Sequence, residues 1–230
     1  TDYISPIVAA FDGTQIGEAI VHDDIFALFP LLKAGYSTTD DIIQKAFAYI
    51  ISKQDANGSW GDPDTTGAAI QALSQAPSLP HVSVALSRAK DYLRAQQQSD
   101  GGWHNSFSTS WVMQGIAALN ETPAQWAPGG SYPEDYLSSR QQSDGGVEPV
   151  VIAVDTRVWA TAYAIPPAIE ITWTELLQSF PKPTANSSGG QSGGGTVAGV
   201  STSTATTTLS SIVNASTTFE VATSTLPIES

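Results

Sequence analysis

Gln54-Asp55-Ala56-Asn57-Gly58-Ser59-Trp60 returns as Gln97-Gln98-Ser99-Asp100-Gly101-Gly102-Trp103, and again as Gln141-Gln142-Ser143-Asp144-Gly145-Gly146-Val147. The copies start 43 and 44 residues apart, a period that suits helix pairs, each burying its apolar face against the next. A degenerate copy, Phe11-Asp12-Gly13, sets its Asp-Gly step 45 residues before Asn57-Gly58. Each Asp/Asn-Gly step reads as a loop, because glycine takes positive φ and the Asx side chain closes a turn on its own backbone.

The stretches flanking these loops differ in pattern. Before each loop runs an amphipathic segment: Asp40 to Lys53, Val82 to Gln96 and Tyr132 to Arg140. Ile43, Phe47, Ile50 and Ile51 share one helical face, as do Val82, Leu86, Ala89 and Leu93. After each loop comes a more uniformly apolar segment: Asp24 to Ala34, Asp64 to Ser74, Ser108 to Leu119 and Asp155 to Ile169. A helix apolar nearly all round is buried from several sides. Amphipathic outer helices alternating with apolar inner ones predict an all-α fold, an α/α toroid whose parallel inner helices line a central cavity. An open superhelix of similar period is the alternative. With four inner and three clear outer segments, plus Tyr3 to Phe11 as a further piece, the expected ring is a small or incomplete α/α barrel.

The repeats end near residue 180, so residues 1–180 are expected to form the toroid domain. From Pro181 to Ser230, 21 of 50 residues are Ser or Thr and Lys182 is the one basic residue. Such a stretch buries too little apolar surface to offset its ordering entropy, and 181–230 is expected to be a disordered linker or stalk. The β-branched run Thr206 to Val221 leaves pairing as a strand open. A stalk points to a secreted or surface-attached protein, extracellular or at the cell surface and tethered through flanking regions; an arbitrary chain end is the bland alternative.

Composition excludes several functions. Nine Lys and Arg against 22 Asp and Glu give a net charge of −13, which repels nucleic acid and anionic lipid. There is no cysteine, hence no disulfide and no thiolate metal ligand. No apolar run reaches the roughly 20 residues of a transmembrane helix. His22, His81 and His104 have no metal-ligand spacing, and neither metal nor cofactor is expected.

The loop pattern of Gln, three residues, Gly, any residue and Trp resembles the QW repeat of the squalene-cyclase and protein-prenyltransferase superfamily, over roughly residues 10 to 170. The resemblance implies a structural role for Gln54, Gly58, Trp60, Gln97, Gly101, Trp103, Gln141 and Gly145, with Gln and Trp tying neighbouring helices together; Val147 departs from the pattern. Asp62-Pro63-Asp64-Thr65-Thr66-Gly67 resembles the Asp-x-Asp-Asp-Thr-Ala acid motif of protonation-initiated terpene cyclases. That match would make Asp64 the general acid and Asp62 its pKa-raising neighbour, although Thr65 stands where the motif has its third Asp. A prenyltransferase needs a zinc-binding Cys, and the complement-type toroid a thioester Cys, and the chain has neither.

Parallel inner helices would gather Asp23, Asp24, Asp62, Asp64 and Asp155 at one mouth, with His22 and His104. For each Asp, capping of a helix N-terminus competes with catalysis and is favoured. Trp111, Trp159 and Tyr163 lie on inner helices, with Phe26 and Phe29 on the first, suited to hold a sugar ring, a lipid or a flat cofactor, or simply to fill the core. The expected binding set is Asp23, Asp24, His104, Trp111, Asp155, Trp159 and Tyr163. The reading leans away from an enzyme, towards a non-catalytic binding or adhesion module for a small molecule (a corrinoid included), glycan or peptide. A squalene-type cyclase using Asp64 is the alternative, and a polysaccharide-active hydrolase or lyase with paired carboxylates the weaker one.

Overall fold

A computed structural model describes residues 2–127, 129–148 and 153–182, and these are helical. A short helix, α1 (Ile4–Ala9), leads into the first inner helix, α2 (Val21–Lys33). Then outer and inner helices alternate: α3 (Asp41–Ser52), α4 (Pro63–Leu73), α5 (Val82–Gln96), α6 (Ser106–Ala118), α7 (Pro133–Arg140) and α8 (Val154–Ala168). A one-turn helix, α9 (Trp173–Leu176), follows; no periodic pattern announces it. The layout is that of an α/α toroid, with four inner and three outer helices among the described residues. From residue 183 the expected stalk lies outside them.

The helices begin and end for local reasons. Asp62 and Asn105 accept the free N–H groups of Thr65 and Ser108 at 2.7 and 2.9 Å, capping α4 and α6. Inner helices α2, α6 and α8 close with a left-handed residue, Gly35, Asn120 or Glu170. The next N–H then reaches back to Leu31, Ile116 or Pro166, satisfying a carbonyl the last turn would orphan.

Each loop is a lock between neighbours. The Trp60 indole N–H donates to the Ile50 carbonyl at 2.7 Å, and that of Trp103 to Leu93 at 2.8 Å, pinning the loop to the outer helix before it. The Gln54 amide donates to Gly58 and across to Ala85 of the next outer helix; that of Gln97 donates to Gly101 and across to Trp126 in the connection before α7. Gln141 donates to Gly145. Gly58 and Gly101 lie at positive φ, where a Cβ would meet the backbone of Arg88 or Tyr132 below 2.5 Å, so the next outer helix approaches only because the side chain is absent. Trp60 and Trp103 are buried, as are Ile16 and Val147, which fill the corresponding space in the first and last repeats.

The inner helices pack in chain order, α4 most closely on α6. Their contact is backbone on backbone: a Cβ on Gly67 would stand 2.6 Å from the Trp111 carbonyl oxygen, and one on Gly115 would stand 3.2 Å from that of Gly67. Nearly every residue of these two helices is buried. At the ends of the row burial falls away. α1 buries no residue fully, and α8 exposes Val154, Val158, Ile165 and Ile169 along one stripe.

Candidate functional site

Hydrogen bonds stitch the first turns of neighbouring inner helices side to side. His22 Nε2 of α2 lies 2.9 Å from Thr65 Oγ1 of α4, and the Ser108 hydroxyl of α6 donates to Asp64 Oδ1 of α4 at 2.5 Å. The helix N-termini of α2, α4 and α6 therefore share one mouth. Asp155 and His104 are exposed; the His104 N–H bonds Gln98 and its carbonyl accepts from Tyr136, so its backbone serves the loop.

Each carboxylate in that mouth has a structural partner. Asp62 caps α4, and Asp64 accepts from Ser108. Asp23 accepts the Glu18 N–H at 2.9 Å. Asp24, fully buried, accepts the Ile16 N–H at 3.1 Å through Oδ1, while Oδ2 is buried with no partner. Burial pushes this carboxyl up to about 6; the Ile16 hydrogen bond opposes the rise, and the charges of Asp23 and Asp12 add to it. Among the described residues no group of three His, Asp or Glu is arranged to hold a metal ion.

The aromatic side chains meet on the inner face. Phe26 of α2 stands edge-on to Trp111 of α6, centroids 5.6 Å apart, although α4, rich in small residues such as Ala68, Ala69 and Ala72, lies between these two helices in the chain. Trp111 continues to Tyr163 of α8 at 5.7 Å, and Tyr163 to Phe107 at 5.8 Å. Trp173 packs on both Trp111 and Tyr163. The result is a ribbon of rings spanning α2, α6, α8 and α9, in which Phe26–Trp111 and Phe107–Tyr163 meet edge to face and the contacts among Trp111, Tyr163 and Trp173 are tilted. Phe26 is half exposed and also walls an open groove of about 530 Å³ between α1 and α2, lined by Pro6, Ile7, Ile16, His22 and Asp23.

Of the residues singled out in the sequence, the structure brings Trp111 and Tyr163 together and sets Trp159 apart. Trp159 is 63% exposed and belongs to no ring pair among the described residues. Phe29 lies in the core against Phe26. Sequence reasoning missed Trp173 and Gln71. Trp173 follows the last periodic segment, where the pattern offers no face; Gln71 sits on α4, and only its fold neighbours show that it accepts the Trp173 N–H.

A helix-pair toroid with loop locks and an aromatic inner face defines a class, and comparison with known sequences places it. Residues 28–129 match the family model of the squalene-hopene cyclase C-terminal domain, so the chain carries a squalene-cyclase-like domain. Squalene–hopene cyclase of Zymomonas mobilis is 29% identical over 132 residues, 54% of this chain and 20% of that protein. The chain thus spans about a fifth of the length of this curated relative. No solved structure gives a significant match.

Proposed function

We propose that this chain is a non-catalytic binding module built on a squalene-cyclase-like toroid, holding an apolar or flat small molecule against the ring ribbon of its inner face. One observation carries the reading: the carboxylates at the mouth serve as caps and inter-helix ties, while the rings of Phe26, Trp111 and Tyr163 converge without a polar function of their own. Asp64 accepts the Ser108 hydroxyl through Oδ1, which gives this carboxylate a structural role between α4 and α6. The Ser/Thr-rich composition of 181–230 supports a surface-displayed setting, and the charge of −13 disfavours nucleic acid as partner.

The cyclase reading has specific support in the Asp62 to Gly67 motif and in the relative's name. Incubation with squalene and farnesol separates the two. The expected outcome is no cyclised product by mass spectrometry, with farnesol quenching tryptophan fluorescence saturably. Turnover of squalene that disappears in Asp64→Asn, with the melting temperature unchanged, overturns the proposal in favour of the cyclase. Absence of any saturable response overturns it in favour of a purely structural domain.

A further inference from the structure

After α8 the chain reverses through Glu170, the Ile171 N–H closing on the Pro166 carbonyl, and runs back across the inner helices. Its polar attachments are spread out, while Trp173 and Leu177 pack against the core and Gln75 donates to Thr174. The Trp173 N–H donates to Gln71 Oε1 at 2.8 Å, and the Phe180 N–H to the Lys33 carbonyl at 2.6 Å. The Lys182 ammonium pairs with Asp40 and lies over the Tyr36 ring, 4.6 Å from its centroid. Thr172 to Lys182 is thus a strap from α8 to the corner of α2 and α3. Its single helical turn, α9, buries only Thr174 fully and is far too short to persist without its contacts.

The strap delivers one large side chain to the inner face. The Trp173 ring lies 5.8 Å from Trp111 and 6.3 Å from Tyr163, and its own backbone N–H sits on Gln71. Gln71 is fully buried and its Nε2 has no partner. Trp173 therefore satisfies the rings and one atom of the amide and leaves the other atom unmet, as an imperfect resident does. A hydroxyl serves both atoms, donating to Oε1 and accepting from Nε2.

We propose that Trp173 is a resident plug of the ligand site, held by the strap, and that a flat, hydroxyl-bearing ring compound displaces it by stacking on Trp111 and Tyr163 and bonding the Gln71 amide. The inference rests on the binding reading above and adds its regulation: apparent affinity is lowered by the fraction of molecules in which the strap is seated.

The test is a fluorescence titration of 2-naphthol into the full chain and two variants, with naphthalene as the probe lacking the hydroxyl. Trp173→Ala removes the ring that seats the plug, leaving only its backbone bond to Gln71; Lys182→Ala loosens the strap at its far anchor, outside the ring ribbon, and guards against a folding defect in the first variant. A strap seated 90–99% of the time predicts roughly 10- to 100-fold tighter 2-naphthol binding in Trp173→Ala, a smaller gain in Lys182→Ala, and weaker binding of naphthalene throughout. Saturable 2-naphthol binding to the wild type with no gain in either variant overturns the plug while leaving the binding reading intact. No saturable binding in any of the three overturns both.

Discussion

Asp24 stands where the three later repeats carry Thr66, Thr109 and Thr161. In those repeats the threonine hydroxyl accepts the backbone N–H of Trp60, Trp103 or Val147, closing the loop onto the inner helix. In the first repeat a carboxylate takes the same bond from Ile16, and its second oxygen is buried unpaired. Buried charge is unfavourable, and the carboxyl responds by rising from 3.8 to about 6. A folded-state value above the unfolded one means that the folded chain holds the extra proton between these two limits. The penalty is absent below the unfolded value, grows as pH rises through the window and is complete above about 6. It amounts to on the order of 3 kcal/mol. Asp24→Thr should therefore raise the melting temperature at pH 8 by several degrees and hardly at all at pH 4, followed by circular dichroism. A gain independent of pH would show that the benefit lies in packing and not in the charge, and a loss at pH 8 that the carboxylate has an unseen partner. The loop motif was legible residue by residue; this substitution within it was not, because Asp at the start of a helix reads as a cap until the acceptor of each loop N–H is known.

At the scale of elements, both helix types were readable from periodicity, and the segments expected for α2 to α8 match the helices to within a few residues. What periodicity does not convey is distance. α4 and α6 touch through their backbones because Gly67 and Gly115 lack side chains, although glycine inside a helix costs about 1 kcal/mol. Gly67→Ala should improve local helix propensity and still destabilise the chain, since its Cβ would stand 2.6 Å from the Trp111 carbonyl oxygen. Overpacking of this kind costs typically 1–3 kcal/mol, readable as a lower urea midpoint at unchanged slope. An unchanged or higher midpoint would mean that the two helices separate freely. Because Trp111 belongs to the ring ribbon, the same change is expected to weaken farnesol quenching as well.

Across the whole molecule, a row of helix pairs holds each unit only through its neighbours, so stability should fall from the middle to the ends. α4 and α6 are buried almost completely, α1 buries nothing fully, and α8 leaves an apolar stripe uncovered. Amide hydrogen exchange is accordingly expected to be slowest in α4 and α6 and fastest in α1 and the outer face of α8. Uniform protection across all four inner helices would point to a closed ring, stabilised equally all round. By itself the sequence determined the repeat, the alternation of inner and outer helices and the loops between them, because these follow from local propensity and apolar spacing. Which carboxylates act as ties, which rings share a face, and the return of Trp173 across that face were decided only by tertiary structure. Those contacts join residues such as Asp64 with Ser108, Phe26 with Trp111 and Gln71 with Trp173. Each of these pairs joins one helix or strap to another, and which side chains meet there is set by how the elements pack, which apolar spacing along the chain does not convey.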